Sequence, residues 1–125
     1  MEFIRVTTEN IDSHLEALKR LNDIFTTTID GKAHGQLFPE WEDTDREVYV
    51  ATDGTAMFTL IPRVGEVRIS RVCAPGKGNV VLIKIRELYP GIKLTTSPAN
   101  KRSHRFFQNQ GFVPNNYLGL WVREP

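Results

Sequence analysis

The run EVRISRVCAPGKGNVVLIKIRELYPGIKLTTSPANKRSHRFFQNQGF, residues 66–112, decides how this chain folds. Its opening, Glu66–Cys73, is rich in Val and Ile and predicts a strand. Ala74-Pro75-Gly76-Lys77-Gly78 breaks the strand. Val81, Leu82, Ile85, Leu88 and Tyr89 then recur at helical spacing until Pro90-Gly91 stops the helix. Ile92, Leu94 and Thr96 alternate in the next strand, which would run parallel to the first because a helix intervenes. Ser97-Pro98 is a helix-start signal, and the helix behind it turns Ala99, Ser103, Phe106 and Phe107 inward before Gly111 ends it.

Upstream, Glu2–Thr7 suits a short first strand. Ile11, Leu15, Leu18, Leu21 and Phe25 recur at three- and four-residue steps, so Ile11 to about Phe25 reads as an amphipathic helix, with Asn10 or Thr8 as its cap. Glu47–Thr52, an Asp53-Gly54 hairpin turn and Thr55–Ile61 lead through a turn at Pro62–Gly65 into Glu66–Cys73, which makes an antiparallel meander. Downstream, Phe112-Val113 and Tyr117–Arg123, with Leu118, Leu120 and Val122 on one face, finish the sheet. Thr26–Arg46 has no periodicity, and connections of that length in compact domains usually bind something, so it is the candidate home of a second substrate. Trp41 there serves either as a binding platform or as a pin to the core. No repeat, low-complexity tract or linker divides the chain, and residues 1–125 read as a single domain.

The composition, 40% hydrophobic and 25% charged over 125 residues, is that of a globular domain able to bury about two-thirds of its unfolded surface without a staple. One cysteine, Cys73, cannot form an internal bridge. With no apolar leader and no long apolar run, the expectation is a cytoplasmic protein with no membrane partner. Sixteen Lys+Arg against fifteen Asp+Glu leave a net charge of +1, which argues against a nucleic-acid partner. The charge is nevertheless clustered. Glu40, Glu42, Asp43, Asp45 and Glu47 form one patch, suited to a cationic ligand; Lys101, Arg102, His104 and Arg105 form another, suited to an anionic one. Both also read as solvated faces.

The Pro75-Gly76-Lys77-Gly78-Asn79 turn leaves a strand and opens a helix, so it presents unpaired N–H groups at the positive end of a helix dipole. That is an anion site suited to a pyrophosphate, although many such turns are only turns. The spacing is neither that of a Walker loop nor a full GxGxxG. A side chain at Gly78 is expected to spoil the anion site and leave the fold intact. No His, Cys or Asp cluster has metal-ligand spacing.

Asn100-Lys101-Arg102-Ser103, continuing to Gly111-Phe112, resembles the signature of the GNAT superfamily of acyl-CoA-dependent N-acyltransferases: Asn first, a small residue three on, Gly-Phe at the close. With the Gly-Lys-Gly turn about twenty residues earlier, the likeness spans Glu66 to Phe112, and the order of elements along the whole chain suits the same fold. The resemblance implies an α/β (α+β) domain: a mixed, mostly antiparallel sheet of six to seven strands, the fourth and fifth splayed apart, flanked by three to four helices. It implies acetyl-CoA as acyl donor, its pantetheine paired to the backbone of Arg71, Val72 and Cys73 like an added strand. The pyrophosphate would lie on Gly76, Gly78 and Asn79 with Lys77 nearby. Asn100, Ser103 and Phe107 would face the pantetheine, and Arg102 or Arg105 the 3′-phosphate. The acceptor would be an amine that attacks the thioester directly while a backbone N–H of the fourth strand polarises its carbonyl. A cationic acceptor and a homodimer both stay open.

The chain departs from the family pattern in ways that bear on chemistry. Pro75 stands where the anion turn usually has a basic residue and Val80 where it has a small one, so the cradle has one N–H donor fewer. Phe107 stands where many members carry the tyrosine that protonates the leaving thiolate. Glu66, acting through water, is a candidate base, with His14 and His34 as alternatives; Ser103 and Tyr117 are the candidate acids. Cys73 is either a nucleophile or a small buried hydrophobe. A catalytically silent CoA-binding or protein-interaction module is the alternative reading.

Overall fold

A computed structural model describes residues 1–26, 45–98, 101–115 and 119–125. Among these, seven strands and three helices follow one another: β1 (Phe3–Arg5), α1 (Ile11–Thr26), β2 (Glu47–Ala51), β3 (Met57–Arg63), β4 (Glu66–Cys73), α2 (Gly78–Leu88), β5 (Lys93–Thr96), α3 (Lys101–Asn109), β6 (Val113–Asn115) and β7 (Leu120–Arg123). The strands form one sheet in the order β1-β2-β3-β4-β5-β7-β6. Only β4 and β5 pair in parallel, joined by α2 as the sequence leads one to expect. The mixed sheet and its flanking helices match the architecture expected from the sequence.

Alternation along the strands separates two cores. Val48, Val50, Met57 and Cys73 point to one face, which α1 covers with Leu18 and Leu21. Tyr49, Phe58, Leu60, Val67, Ile69 and Leu94 point to the other, covered by Val81, Leu82 and Ile85 of α2 and by Phe107 of α3. Leu18, Phe58, Leu82 and Ile85 are fully buried. The molecule is therefore a sheet between α1 and the α2–α3 pair, the three-layer arrangement that apolar strands with two-sided burial require.

Two turns differ from the sequence reading. The β2–β3 connection is a four-residue loop, Thr52–Thr55, closed by Ala51 N–H donating to Ala56 O at 2.9 Å, because Asp53 Oδ1 accepts from both the backbone N–H (3.0 Å) and hydroxyl (2.6 Å) of Thr55. Pro62 lies inside β3 rather than in a turn. It pairs with Val67 of β4, while the β2 ladder stops at Leu60, so Pro62 stands on a stretch with one neighbouring strand and its missing donor costs nothing there. Asn10 turns its side chain back to Thr7 N–H and Arg5 O instead of reaching into α1.

One polar knot ties the sheet to α2. Glu47 accepts from the Tyr89 hydroxyl at 2.7 Å and from Tyr49 at 3.1 Å, with Arg5 3.8 Å away. Burial and the Glu47 charge push the Tyr49 hydroxyl up to about 12, and burial raises Tyr89 as well.

Candidate functional site

The β4 strand is not regular. Leu60 pairs with Ile69 and Thr59 with Arg71, so Ser70 is an extra residue, a β-bulge. Its effect is to invert the alternation. Before it, Val67 and Ile69 face the α2–α3 core; after it Val72 does, and Cys73 turns to the α1 side.

The parallel ladder with β5 ends at the same place. Its last pair is Ile69 with Thr96, and among the described residues no strand pairs with that edge over Ser70–Cys73, although β3 still holds the other edge. The Thr96 hydroxyl donates to Ile69 O at 3.2 Å and closes the apex. Beyond it the outer edge of β4 has no paired strand among the described residues, the kind of edge to which an extended partner adds. The Ser70 hydroxyl accepts from Arg46 at 2.8 Å, which anchors the bulge.

Four residues, 74–77, separate this edge from the start of α2. Lys77 is its N-cap residue and makes no side-chain cap. Lys77 N–H donates to Ala74 O at 2.8 Å and Val80 N–H to Lys77 O at 3.1 Å, while no described backbone acceptor takes Gly78 or Asn79 N–H. Two N–H groups at the positive end of an eleven-residue helix lie directly beyond the open strand edge. Gly76 has φ +70°, and a Cβ there would meet nothing within 4 Å, so its backbone is open to approach.

Side chains modify this cradle in ways the sequence did not reveal. Lys77 Nζ donates to Thr55 Oγ1 at 2.9 Å and lies 3.7 Å from Asp53, so its charge is held by the β2–β3 loop rather than by the turn. Hydrogen bonds from Thr55, then the Lys77 charge, lower the Asp53 pKa. A Cβ on Gly78 would stand 2.6 Å from Phe106 Cε1 and 2.8 Å from Cζ. Gly78 therefore lies at the contact of α2 with α3, and a side chain there must displace the Phe106 ring, so a substitution acts on packing as well as on the anion turn. Asn79 Oδ1 accepts from Gln110 at 2.7 Å, which joins the start of α2 to the end of α3.

The remaining candidates divide. Val72 packs on the α2–α3 core through its side chain, and Arg71 lies over the Phe25 ring, 5.8 Å from its centroid, so both could offer only backbone to the open edge. Cys73 is buried, donates to Leu21 O at 3.4 Å, and burial pushes its thiol up to about 11. A neutral thiol pointing into the α1 core is a packing residue, not a nucleophile. Phe107 is 7% exposed and meets Phe106 and Phe112 edge-on at 5.1 Å. At the position of the usual tyrosine acid the ring is part of the core. Ser103 is half-buried on α3, and Arg102 and Arg105 are exposed. Glu66 opens β4, half-buried, opposite Arg63 and beside Lys93. It stands about 13 Å along the strand from Ser70, at roughly 3.3 Å per residue. His14 is half-buried on α1. Asn100, Tyr117, His34, Trp41 and the acids Glu40, Glu42 and Asp43 lie outside the described residues.

The sequence did carry a signal for the bulge. Apolar residues at 67, 69 and 72 break period two at Arg71, and that extra step marks an inserted residue.

The overall fold of this chain is shared with known structures. A PaiA N-acetyltransferase from Thermoplasma acidophilum in complex with coenzyme A superposes with a TM-score of 0.67 over 99% of this chain and 98% of its own, at 12% identity. An acetyltransferase assigned to the GNAT family from Bacteroides thetaiotaomicron gives 0.67 over 100% and 88%, at 16% identity. This is the GNAT fold. A chain of the AtaT–AtaR complex bound to DNA has the GNAT fold in common with it, at a TM-score of 0.70 over 99% and 94% and 16% identity. The sequence matches no protein-family profile and no curated protein. Among the described residues no group of three or more His, Cys, Asp or Glu could hold a metal, and no helix is long and apolar enough to cross a membrane.

Proposed function

We propose that this chain is an acyl-CoA-dependent N-acyltransferase, with acetyl-CoA as the donor and a primary amine as the acceptor. The observation that carries the reading is the juxtaposition of the open β4 edge with the N-terminus of α2. One offers a ladder of amides and carbonyls to the pantetheine arm, the other two N–H donors to the pyrophosphate. In this reading Arg71, Val72 and Cys73 act through their backbone, and one of their N–H groups faces the acyl carbonyl. Gly76, Gly78 and Asn79 take the phosphates. Asn100, Ser103 and Arg105 line the coenzyme from the α3 side, and Glu66 relays the amine's proton through water. Ser103 or Tyr117 supplies the proton that Phe107 cannot.

A fold shared with a coenzyme A complex supports the donor. The acceptor is supported only by charge: the acids between Glu40 and Glu47 favour a cationic amine by steering. Because the fold is also shared with a chain of a DNA-bound complex, an acceptor panel should contain nucleic acid as well as polyamines, lysine and peptides. A second reading, a silent CoA-binding module, is favoured by Phe107 itself, since a positioned acid contributes about 10²–10⁴-fold to such a step.

Calorimetric titration with acetyl-CoA followed by free-thiol release across the amine panel tests both readings. Saturable binding with acceptor-dependent thiol release supports the enzyme, and binding without release from any amine supports the module. No binding of CoA refutes both. Phe107→Tyr sharpens the test. Its hydroxyl enters a core of Phe106 and Phe112, where a lone buried hydroxyl costs about 1–3 kcal/mol. A variant with a lowered melting temperature and unimproved transfer is therefore expected.

A further inference from the structure

At the C-terminal end of α3 two arginines converge on one carbonyl. Arg123 Nε donates to Gln110 O at 2.9 Å, and Arg86 reaches the same oxygen at 3.5 Å and Gln110 Oε1 at 3.4 Å. The Arg86 contacts are at the limit of a hydrogen bond. Arg86 Nε is buried and has no acceptor at all.

Among the described residues neither Arg86, Arg123 nor Lys93 forms an ion pair. Burial and then the Arg123 charge hold the Arg86 guanidinium below its usual range, as two like charges sharing a half-buried place require. Beside Arg123 opens a cavity of about 600 Å³ whose lining includes Lys93, Gly111 and Arg123, with Glu124 as its one acid; Arg86 is not part of that lining and approaches through Gln110. Capping a helix end needs one cation; a second guanidinium beside it adds repulsion and leaves its forked donors unused.

We propose that Arg86 and Arg123, with Lys93 at the edge, bind a phosphate-type oxyanion. A tetrahedral dianion would accept from the unused forks of both guanidiniums and cancel their repulsion. The site is separate from the cradle at the start of α2. Arg86 lies eight residues beyond Gly78, about 12 Å along the helix at 1.5 Å per residue. It is also connected to that cradle, because the Gln110 amide that faces Arg86 donates to Asn79 at 2.7 Å.

The test is two-dimensional NMR on the full chain, following backbone amides and arginine Nε–Hε groups while inorganic phosphate replaces chloride at constant ionic strength and pH. Saturable shifts at Arg86 and Arg123 are expected, with affinity weakened about fivefold or more in Arg123→Gln. Should that variant fold poorly, Arg86→Lys keeps the charge and the stem but loses the fork, and is expected to weaken phosphate similarly. Shifts that chloride reproduces, shifts confined to residues 76–79, or unchanged affinity in the folded variant would overturn the proposal. Repeating the titration with saturating CoA distinguishes a free anion from the coenzyme's own phosphate. Retained phosphate shifts at Arg86 confirm a separate site, and their loss overturns it. The titration without CoA stands whether or not the chain binds the coenzyme.

Discussion

Replacing Gly78 by alanine adds one methyl group at the contact between α2 and α3, and the structure fixes what it meets. The new Cβ would stand 2.6 and 2.8 Å from two carbons of the Phe106 ring, where ordinary contact begins near 3.4 Å. The ring must retreat by about 0.6–0.8 Å, and it is already packed edge-on against Phe107, 5.1 Å away between centroids. Overpacking of this kind costs about 1–3 kcal/mol. Against it stands the helix preference of alanine over glycine, up to about 1 kcal/mol in a helix interior and less at a first position. The net loss is roughly 1–2 kcal/mol, or about 4–8 °C in melting temperature for a domain of this size. Differential scanning calorimetry of wild type, Gly78→Ala, Phe106→Ala and the double variant measures it. In the Phe106→Ala background the same methyl has room, and its cost should vanish or reverse. A Gly78→Ala protein as stable as wild type, or an equal loss in both backgrounds, would refute the packing argument.

Asp53→Asn removes the carboxylate that holds Lys77 on the β2–β3 loop, so CoA affinity at low salt should rise by about two- to fivefold; unchanged or weaker binding would show that Lys77 has no part in the phosphate site. Tyr89→Phe deletes a donor to Glu47, and hydrogen bonds to charged groups are worth about 1.5–3 kcal/mol. Because Tyr49 and Tyr89 have folded-state pKa values raised above the unfolded 10, their contribution is complete below pH 10 and fades as pH climbs toward about 12 for Tyr49. The stability gap between wild type and Tyr89→Phe, measured by urea titration, should therefore be larger at pH 8 than at pH 11.5; a gap that widens with pH contradicts the assignment.

Much of the fold was legible because its parts are local. Val81, Leu82 and Ile85 declare α2, Ile11 to Phe25 declare α1, and the helix between β4 and β5 makes their pairing parallel. Turn boundaries were less so. Asp53 chose a side-chain turn to Thr55 over a two-residue hairpin, and Pro62 could enter β3 only because β2 ends before it, a fact of topology rather than of composition. The candidate site was legible as backbone and obscure as side chains. Glycine and strand patterns announce an anion turn behind a strand, but the partners that decide its chemistry come from distant segments: Asp53 and Thr55 on Lys77, Phe106 on Gly78, Gln110 on Asn79. Residues separated by more than twenty positions leave no periodic trace of their contact.

The most direct test of the coenzyme reading is an amide-resolved NMR titration of the wild-type chain with CoA, with ATP as the control for bare phosphate binding. The account predicts saturable CoA shifts at Ser70–Cys73 together with Gly76, Gly78 and Asn79, while ATP moves only the second group and binds more weakly. Absence of any CoA response along Ser70–Cys73, or identical patterns for the two ligands, would contradict it.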